Sequence, residues 1–337
     1  MTGRFEHKLA IEEKLENHIK EKPIWLRDYY YSMANNTAAT KRKYLGDVEM
    51  FLNSIADGMG VEIAELKLEN ITTSVINRYF TKRNQELISG KPISNATIAT
   101  QISSLHNFFD FLYRFEYISE NPMEKAIKRP SVKLKDEISY LTEDEISIII
   151  KNLNEGVGSK HARTSQKKYQ DRDRLLFLIP LSTGCRVSAL SEINVSDIDF
   201  ENCLIHTIDK RDKEFEYEVT KELMDIIRRW CDRRKLIPGI EATDALFVSK
   251  KSDGCKRLGV GAIQKIIAKY SEGIDRKISP HELRRTFGTN VYRMKGDIYL
   301  TSELLGHSSP TTTKRYASVN KQEMKEVRGA IINNLLK

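Results

Sequence analysis

The sequence lacks several features that mark whole classes of protein. No segment approaches the ~20 apolar residues of a transmembrane helix, and the first residues, MTGRFEHKLAIEEK, contain no apolar signal-peptide core. Its four cysteines lie far apart, without a CxxC pair or a histidine at metal-ligand spacing. P-loop, GxGxxG and HExxH motifs are also absent. We therefore predict a cytoplasmic protein with reduced thiols, and nothing in the sequence indicates a metal or a cofactor.

Basic residues are in modest excess over acidic residues. Lysine and arginine number 55 against 47 aspartates and glutamates, which gives a net charge of +8 and a pI near 9.1. This excess favours a polyanionic partner, and the absence of a membrane segment favours nucleic acid over a lipid surface. A merely basic protein would show the same composition, so charge alone gives weak support.

The length of 337 residues and the 40% hydrophobic content fit two domains. Apolar residues recur at helical spacing over 44–55, 75–80 and 98–112, and Thr37 or Thr40 is a candidate N-cap of the first helix. Turn-forming residues lie between these helices, at Asp57-Gly58-Met59-Gly60 and Ser89-Gly90-Lys91-Pro92. Residues 1–127 are therefore predicted to form a small helical bundle.

A linker and a second domain are predicted to follow. Residues 128–137 (KRPSVKLKDE) are charged and aperiodic, as in an exposed linker. Thr142-Glu143-Asp144-Glu145 resembles a capping box that opens the first helix of a domain over 138–337. Residues 156–170 are basic, polar and aperiodic, which predicts a surface loop that either contacts DNA or is simply solvated. Residues 175–181 predict a buried helix.

The second domain also contains a predicted β-hairpin. Residues 203–208 and 214–219 alternate in polarity as strands do, and 209–213 would form the turn. Helical patterns resume at Thr220 and Gly261. The expected fold is thus mainly α with a small β-sheet: a helical domain followed by an α+β domain.

Candidate catalytic residues lie near the end of the chain. His281 and Arg284 follow Pro280 three residues apart at a predicted helix start, where the helix N-terminus and a guanidinium favour an anion. Gly306 stands where a helix C′ residue would be, with His307 next to it, and Tyr316 follows nine residues later. Each motif alone is common by chance.

Read in order, the motifs resemble those of the tyrosine recombinase, or phage integrase, family. The resemblance rests on TGCRVSAL around Arg186, the hairpin lysine Lys210, HELRRTF around His281 and Arg284, LLGHSS around His307, and KRYA around Tyr316. It extends over the whole chain, because the first domain is similar to the family's core-binding domain. The similarity there includes an SxxT-type helix start at Ser94 and an ENP exit at residues 120–122.

The resemblance implies a role for each site residue. Arg186 and Arg284 would bind the non-bridging oxygens of the scissile phosphate, and Tyr316 would attack it to form a 3′-phosphotyrosyl bond. Lys210 would protonate the leaving 5′-oxygen, with Lys213 as a rival for that role.

The two histidines would assist the same step. His281 would accept the proton of Tyr316 or orient it, and His307 would hydrogen-bond the phosphate. One departure from the family is Ala189, because many relatives carry an acid at that position; Glu192, one turn later, is a candidate substitute.

The resemblance also implies an assembly. Double-stranded DNA would be the partner, a homotetramer would join two DNA sites, and strands would be exchanged through a Holliday junction without ATP or metal. The apolar stripe of residues 321–337 would dock on a neighbouring subunit. The short segment before Asn36 leaves little room for an extra arm-site domain. An accessory directionality factor and association with the bacterial nucleoid are further expectations.

Two other functions are alternatives to recombination. A relaxing type IB topoisomerase uses a similar residue set, but the short N-terminal domain and the linker favour a recombinase. A catalytically silent DNA-binding protein is supported only by Ala189. Integration of a mobile element and resolution of chromosome dimers fit the sequence equally.

Overall fold

The structure, a computed structural model, describes residues 2–88, 90–131, 139–208, 214–251 and 254–306. The chain divides into two compact units, residues 1–134 and 135–337. Each unit has its own cluster of buried apolar side chains. Each therefore has the packed interior that a domain requires.

Unit 1 is a helical bundle, as predicted. Its elements are α1 (Thr2–Ile19), α2 (Ile24–Ser32), α3 (Ala38–Met59), α4 (Thr73–Gln85), β1 (Leu87–Ile88), β2 (Lys91–Pro92) and α5 (Asn95–Arg114). Helix α5 packs against α2, α3 and α4. Its Phe108 and Phe109 are fully buried and meet other rings edge-on, as in the pair formed by Phe109 and Phe51.

Helix ends in unit 1 confirm some predictions and correct others. Thr37 caps α3 by accepting a hydrogen bond from the amide of Thr40, and Ser94 caps α5 in the same way. The turn predicted at residues 57–60 is wrong for its first three residues. Helix α3 continues through Met59 and ends only at Gly60, which has a left-handed φ of 70°.

The first two helices of unit 1 were not predicted. Apolar residues are sparse in α1, so its sequence shows no clear apolar stripe. Helix α2 buries Trp25, Leu26, Tyr29 and Tyr30. Its stability therefore comes from tertiary packing, which a sequence pattern over nine residues does not reveal.

The described part of unit 2 is mainly helical with two small antiparallel sheets. Its helices are α6 (Glu143–Glu155), α7 (Lys160–Lys167), α8 (Gln170–Thr183), α9 (Val187–Glu192), α10 (Lys221–Lys235), α11 (Val260–Lys269), α12 (Pro280–Lys295) and α13 (Ile298–Leu304). One sheet consists of β3 (Ile198–Asp199), β4 (Leu204–Ile208) and β5 (Glu214–Glu218), and the other of β6 (Val248–Lys251) and β7 (Gly254–Arg257).

Helix α8 is the centre of unit 2. It packs against α6, α9, α10, α11 and α12, and its Leu175, Leu176 and Ile179 are fully buried. Its Asp173 is also buried and accepts hydrogen bonds from Arg172 and, at 2.7 Å, from the hydroxyl of Tyr270, the residue that follows α11. These bonds satisfy the buried carboxylate, as burial of a charge requires.

Three local predictions for unit 2 can be compared with the structure. The capping box of Thr142 and Glu145 starts α6 as predicted. Strands β4 and β5 pair as the predicted hairpin, with Thr207 opposite Phe215. The loop predicted over residues 156–170 is wrong, because residues 160–167 form α7. Ser159 caps this helix, and polar bonds rather than apolar packing hold it.

Candidate active site

Arg186 stands at the junction of two helices. Helix α8 ends at Gly184, whose backbone is left-handed with φ of 69°, and Arg186 is the N-cap residue of α9. A β-carbon at position 184 would lie 2.6 Å from Cδ1 of Phe287, so the turn requires glycine. Nη2 of Arg186 donates a 3.3 Å hydrogen bond to the carbonyl oxygen of Gly306.

Arg284 lies in the second turn of α12 and is only 4% exposed. Its Nη1 donates a 2.5 Å hydrogen bond to the carbonyl oxygen of Gly184, and its Nη2 donates to the carbonyl oxygen of Leu305. These bonds compensate for burial of the guanidinium. They also fix its plane relative to the ends of α8 and α13.

The two arginines therefore meet on one short segment. Leu305 and Gly306 are consecutive residues after α13, and each carbonyl accepts a hydrogen bond from one guanidinium. Gly306 has a left-handed φ of 58°, and a β-carbon there would overlap the ring of Phe215 in β5. Strand β5, which follows the predicted turn that contains Lys210, therefore contacts the segment of residues 305–306.

His281 occupies the first turn of α12, beside the arginine pair. Its side chain reaches the surface, and its pKa is lowered from the ordinary value of 6.5. Partial desolvation is the main cause, followed by the positive charges of Arg285 and Arg284, whereas Glu282 acts in the opposite direction. The lowered pKa favours a neutral imidazole, which can accept a proton.

Helix α12 is anchored through Glu282, a residue whose role the sequence reasoning missed. The Glu282 carboxylate accepts hydrogen bonds from the amide of Ser279, from the hydroxyl of Ser139 and from Arg276. Arg276 also bonds Glu145, at the start of α6. The sequence did contain a signal for this role of Glu282, because Ser279 and Glu282 have the spacing of a capping box. This network fixes the turn that carries His281 and leads into Arg284.

The position where many relatives carry an acid lies inside α9. Ala189 is buried there, and Oε2 of Glu192 lies 3.9 Å from Nε of Arg257 in β7. Arg257 also donates to the carbonyl oxygen of Ser191 at 2.9 Å. Glu192 is therefore an ion-pair partner of β7, and its substitution for the missing acid stays a prediction.

The structure brings together Arg186, Arg284 and His281 among the predicted site residues. Lys210, Lys213, His307, Tyr316 and the tail 321–337 lie outside the described residues, and so does most of the predicted linker. Gly184 and the carbonyl groups of residues 305–306 were missed. A glycine that follows a helical pattern was the only sequence signal for the turn at Gly184. A backbone carbonyl gives no sequence signal, because every residue has one.

Comparison with known families identifies the family of this chain. The phage integrase family model matches residues 139–323, which is more than half of the chain. The chain belongs to the phage integrase family. A second model, the N-terminal SAM-like domain of phage integrases, matches residues 27–116.

The curated relatives of this integrase-family chain are named tyrosine recombinases. XerC of Thermodesulfovibrio yellowstonii is 27% identical over 300 residues, which cover 87% of this chain and 89% of the relative. XerC of Listeria innocua is 29% identical over 310 residues, covering 88% and 93%. This integrase-family chain is therefore an enzyme of the tyrosine recombinase group.

Solved structures share its fold. The XerH site-specific recombinase bound to its difH substrate has a TM-score of 0.62 at 20% identity, covering 89% of this chain and 83% of that one. A lambda integrase dimer bound to a core site has a TM-score of 0.57 at 19% identity, covering 86% and 95%. In the described part of the present chain, no helix is long and apolar enough to cross a membrane.

Proposed function

We propose that this chain is a site-specific recombinase that cleaves and rejoins double-stranded DNA through a covalent bond between Tyr316 and a 3′ phosphate. The observation that carries the proposal is the convergence of Arg186 and Arg284 on the carbonyl groups of residues 305–306. It brings two cations to the two residues that directly precede His307.

The arginine pair would act on the phosphate. A guanidinium can give two parallel hydrogen bonds to the oxygens of one phosphate. Attack on phosphorus adds negative charge to those oxygens in the transition state, and Arg186 and Arg284 would stabilise it. Because backbone carbonyls already hold both groups in place, little reorganisation would be needed when the charge develops.

The remaining residues would move protons. Oη of Tyr316 would attack phosphorus and form the P–O bond as the bond from phosphorus to the 5′-oxygen breaks. The tyrosine proton would pass to His281, whose lowered pKa suits an acceptor. Lys210 would protonate the leaving 5′-oxygen, and His307 would hydrogen-bond the phosphate.

The reverse step would reseal DNA. The 5′-hydroxyl of a partner strand would attack the phosphotyrosine, form a new phosphodiester and release Tyr316. One phosphoester bond replaces another in each step, so no ATP is required. Exchange of one strand from each duplex would give a Holliday junction.

The domain and partner assignments belong to the same proposal. Residues 1–127 would bind DNA, 128–137 would link the domains, and 138–337 would form the catalytic domain with a C-terminal docking helix. A homotetramer would join two DNA sites. Support comes from the net charge of +8 and from solved neighbours whose structures contain their DNA sites.

A nicked suicide substrate tests this function. The recombination site is first mapped as the cleavage positions on DNA that flanks the chain's own gene. A nick near the cleaved phosphate then lets a short fragment diffuse away, so that the covalent complex accumulates. We expect the unaltered chain to give a protein–DNA band that survives denaturation.

The matched control is Tyr316→Phe, which removes only the nucleophilic oxygen. This variant should bind the same duplex with unchanged affinity and form no covalent band. A denaturation-resistant band in the variant would refute the assignment of Tyr316. Absence of the band in the unaltered chain on its mapped site would refute the proposed reaction.

A further inference from the structure

Helix α7 and the residue after it carry a cluster of positive charge, which we call the α7 surface. It consists of Lys160, Arg163, Lys167 and Lys168, all exposed. The sequence has no acidic residue between Ser159 and Gln170. Within the part of the chain that the structure describes, none of the four cations has an acidic partner within ion-pair distance. The α7 surface is therefore an uncompensated basic patch.

Apolar packing does not account for this helix. Helix α7 has eight residues and none of them is buried. An isolated helix of this length is unstable in water, because nucleation is unfavourable and few hydrogen bonds follow it. Only Ala162 and Gln166 are partly buried, and they lie four residues apart on one face.

Polar bonds hold α7 in place instead. The side-chain amide of Gln166 accepts from the amide of Val157 at 3.2 Å and donates to the carbonyl oxygen of the same residue at 2.8 Å. Val157 is itself buried in the core of unit 2. Ser159 caps the helix, and Nε of Arg163 donates to the carbonyl oxygen of Gly158 at 3.0 Å. The segment is thus ordered in a way that presents its cations to solvent.

The spacing of these cations suits an extended polyanion. Lys160 and Lys167 are seven residues apart and share one face, which separates their backbones by about 10 Å along the helix. That length corresponds to about three base pairs of duplex DNA at 3.4 Å each. The exposed Ser165 lies between them in the sequence, and its hydroxyl can also donate a hydrogen bond to a phosphate oxygen.

We propose that the α7 surface binds the phosphodiester backbone of the DNA that this enzyme recombines. The inference rests on the proposed function for the identity of the DNA. Duplex DNA fits better than an acidic protein, because protein interfaces depend on apolar and aromatic anchors. Helix α7 provides no such anchor, since Ala162 is its one apolar residue and is partly buried.

The position of α7 indicates which phosphates it contacts. Helix α8 has 14 residues, begins directly after the α7 surface and ends beside Arg186. Its length is about 21 Å, or roughly six base pairs of duplex DNA. The contact therefore lies away from the cleaved phosphate and increases affinity independently of base sequence.

The test compares DNA binding by the unaltered chain and by a fourfold variant, Lys160→Gln, Arg163→Gln, Lys167→Gln and Lys168→Gln. Each lost phosphate contact reduces the slope of log affinity against log salt by about one. We expect the slope to fall by about two to four, and the affinity near 0.15 M salt to fall by roughly tenfold or more. Thermal unfolding of both proteins shows whether the variant is folded.

Two matched variants keep the result interpretable. A charge-preserving exchange, Lys160→Arg, Arg163→Lys, Lys167→Arg and Lys168→Arg, should retain the unaltered slope and affinity. A second control removes the same net charge elsewhere in unit 2, at Lys221, Lys235, Lys265 and Lys295, which are all exposed. Its slope should fall by less than that of the α7 variant.

An unchanged slope and affinity in the α7 variant would overturn the proposal, and so would an equal loss in the second control. The outcome is separable from that of the proposed reaction. Covalent adduct formation by the unaltered chain decides the reaction, whereas the difference in salt slope decides only the role of α7.

Discussion

The Arg284 guanidinium donates a 2.5 Å hydrogen bond to the carbonyl oxygen of Gly184, a residue one hundred positions earlier in the chain. Gly184 also forms the left-handed turn that leads to Arg186. The turn thus positions Arg186, which follows it in the chain, and Arg284, which donates a hydrogen bond to it. A change at Gly184 should disturb both.

Gly184→Ala should lower both stability and cleavage rate. A left-handed backbone disfavours a side chain, and the new β-carbon would overlap the ring of Phe287. Gly296→Ala is the matched control, because Gly296 is equally left-handed with φ of 66° and has open space around it. We expect Gly184→Ala to lose on the order of 1–3 kcal/mol of unfolding free energy. Equal losses of stability and rate in the two variants would contradict the positioning role.

Arg186→Ala and Arg284→Ala should each slow DNA cleavage far more than they weaken binding. Loss of one preformed donor to a transition-state oxyanion typically costs about 3–4 kcal/mol, or roughly 10²–10³ in rate. Arg186→Lys should recover only part of this loss, because lysine keeps the charge but not the planar fork. Single-turnover cleavage at saturating protein measures the effect. A variant that cleaves at the unaltered rate would exclude its arginine from the phosphate site.

Lys210 as general acid makes a chemical prediction. In a substrate with a 5′-bridging phosphorothiolate, the sulfur leaves without protonation, so the acid becomes dispensable. Lys210→Ala should therefore cleave this substrate well and the ordinary substrate poorly, whereas Arg186→Ala should be slow on both. Rescue of Lys213→Ala instead would transfer the role to that residue. Rescue of neither variant would place the acid outside this hairpin turn.

The lowered pKa of His281 predicts the acid limb of the pH–rate profile. If neutral His281 accepts the proton, cleavage should persist below pH 6.5 and decline only as the pH falls through the lowered pKa. Arg285 disfavours the imidazolium, so Arg285→Gln should raise the pKa and move the acid limb to higher pH. Arg293→Gln is the control, because Arg293 is exposed and lies at the far end of α12 from His281. An acid limb that Arg285→Gln leaves in place would exclude His281 as its origin.

The C-terminal stripe should serve assembly rather than folding. Ending the chain after Glu323 removes Val327, Ile331 and Leu335 but keeps Tyr316. An amphipathic helix at a chain end can pack into a groove of a neighbouring subunit. We expect the shortened chain to bind a single DNA site with an unchanged melting temperature and to lose cooperative pairing of two sites. A large fall in melting temperature without loss of cooperativity would show that the stripe packs on its own domain.

Local chemistry made much of the fold predictable from the sequence. Thr37, Ser94 and Thr142 are followed by apolar residues at helical spacing, and each caps a helix. The alternation in residues 203–208 and 214–219 predicted the β4–β5 pairing. Such features depend on neighbours within a few residues, so the sequence displays them directly.

The errors occurred where distant contacts outweigh local pattern. Helix α2 is stabilised by burial of its aromatic residues against α5, and α7 is held by the bonds of Gln166 to Val157. Neither interaction has a periodic signature. The N-cap Ser159 was the one local sign of α7.

The sequence by itself determined which candidate residues for phosphoryl transfer the chain contains, and in what order they occur, because side-chain chemistry is a local property. It identified Arg186, His281 and Arg284 as candidates. Only the tertiary structure decided how the arginines are held, because the carbonyl groups of Gly184, Leu305 and Gly306 are the same in every sequence. Such groups become specific hydrogen-bond acceptors only when folding brings distant helix ends together.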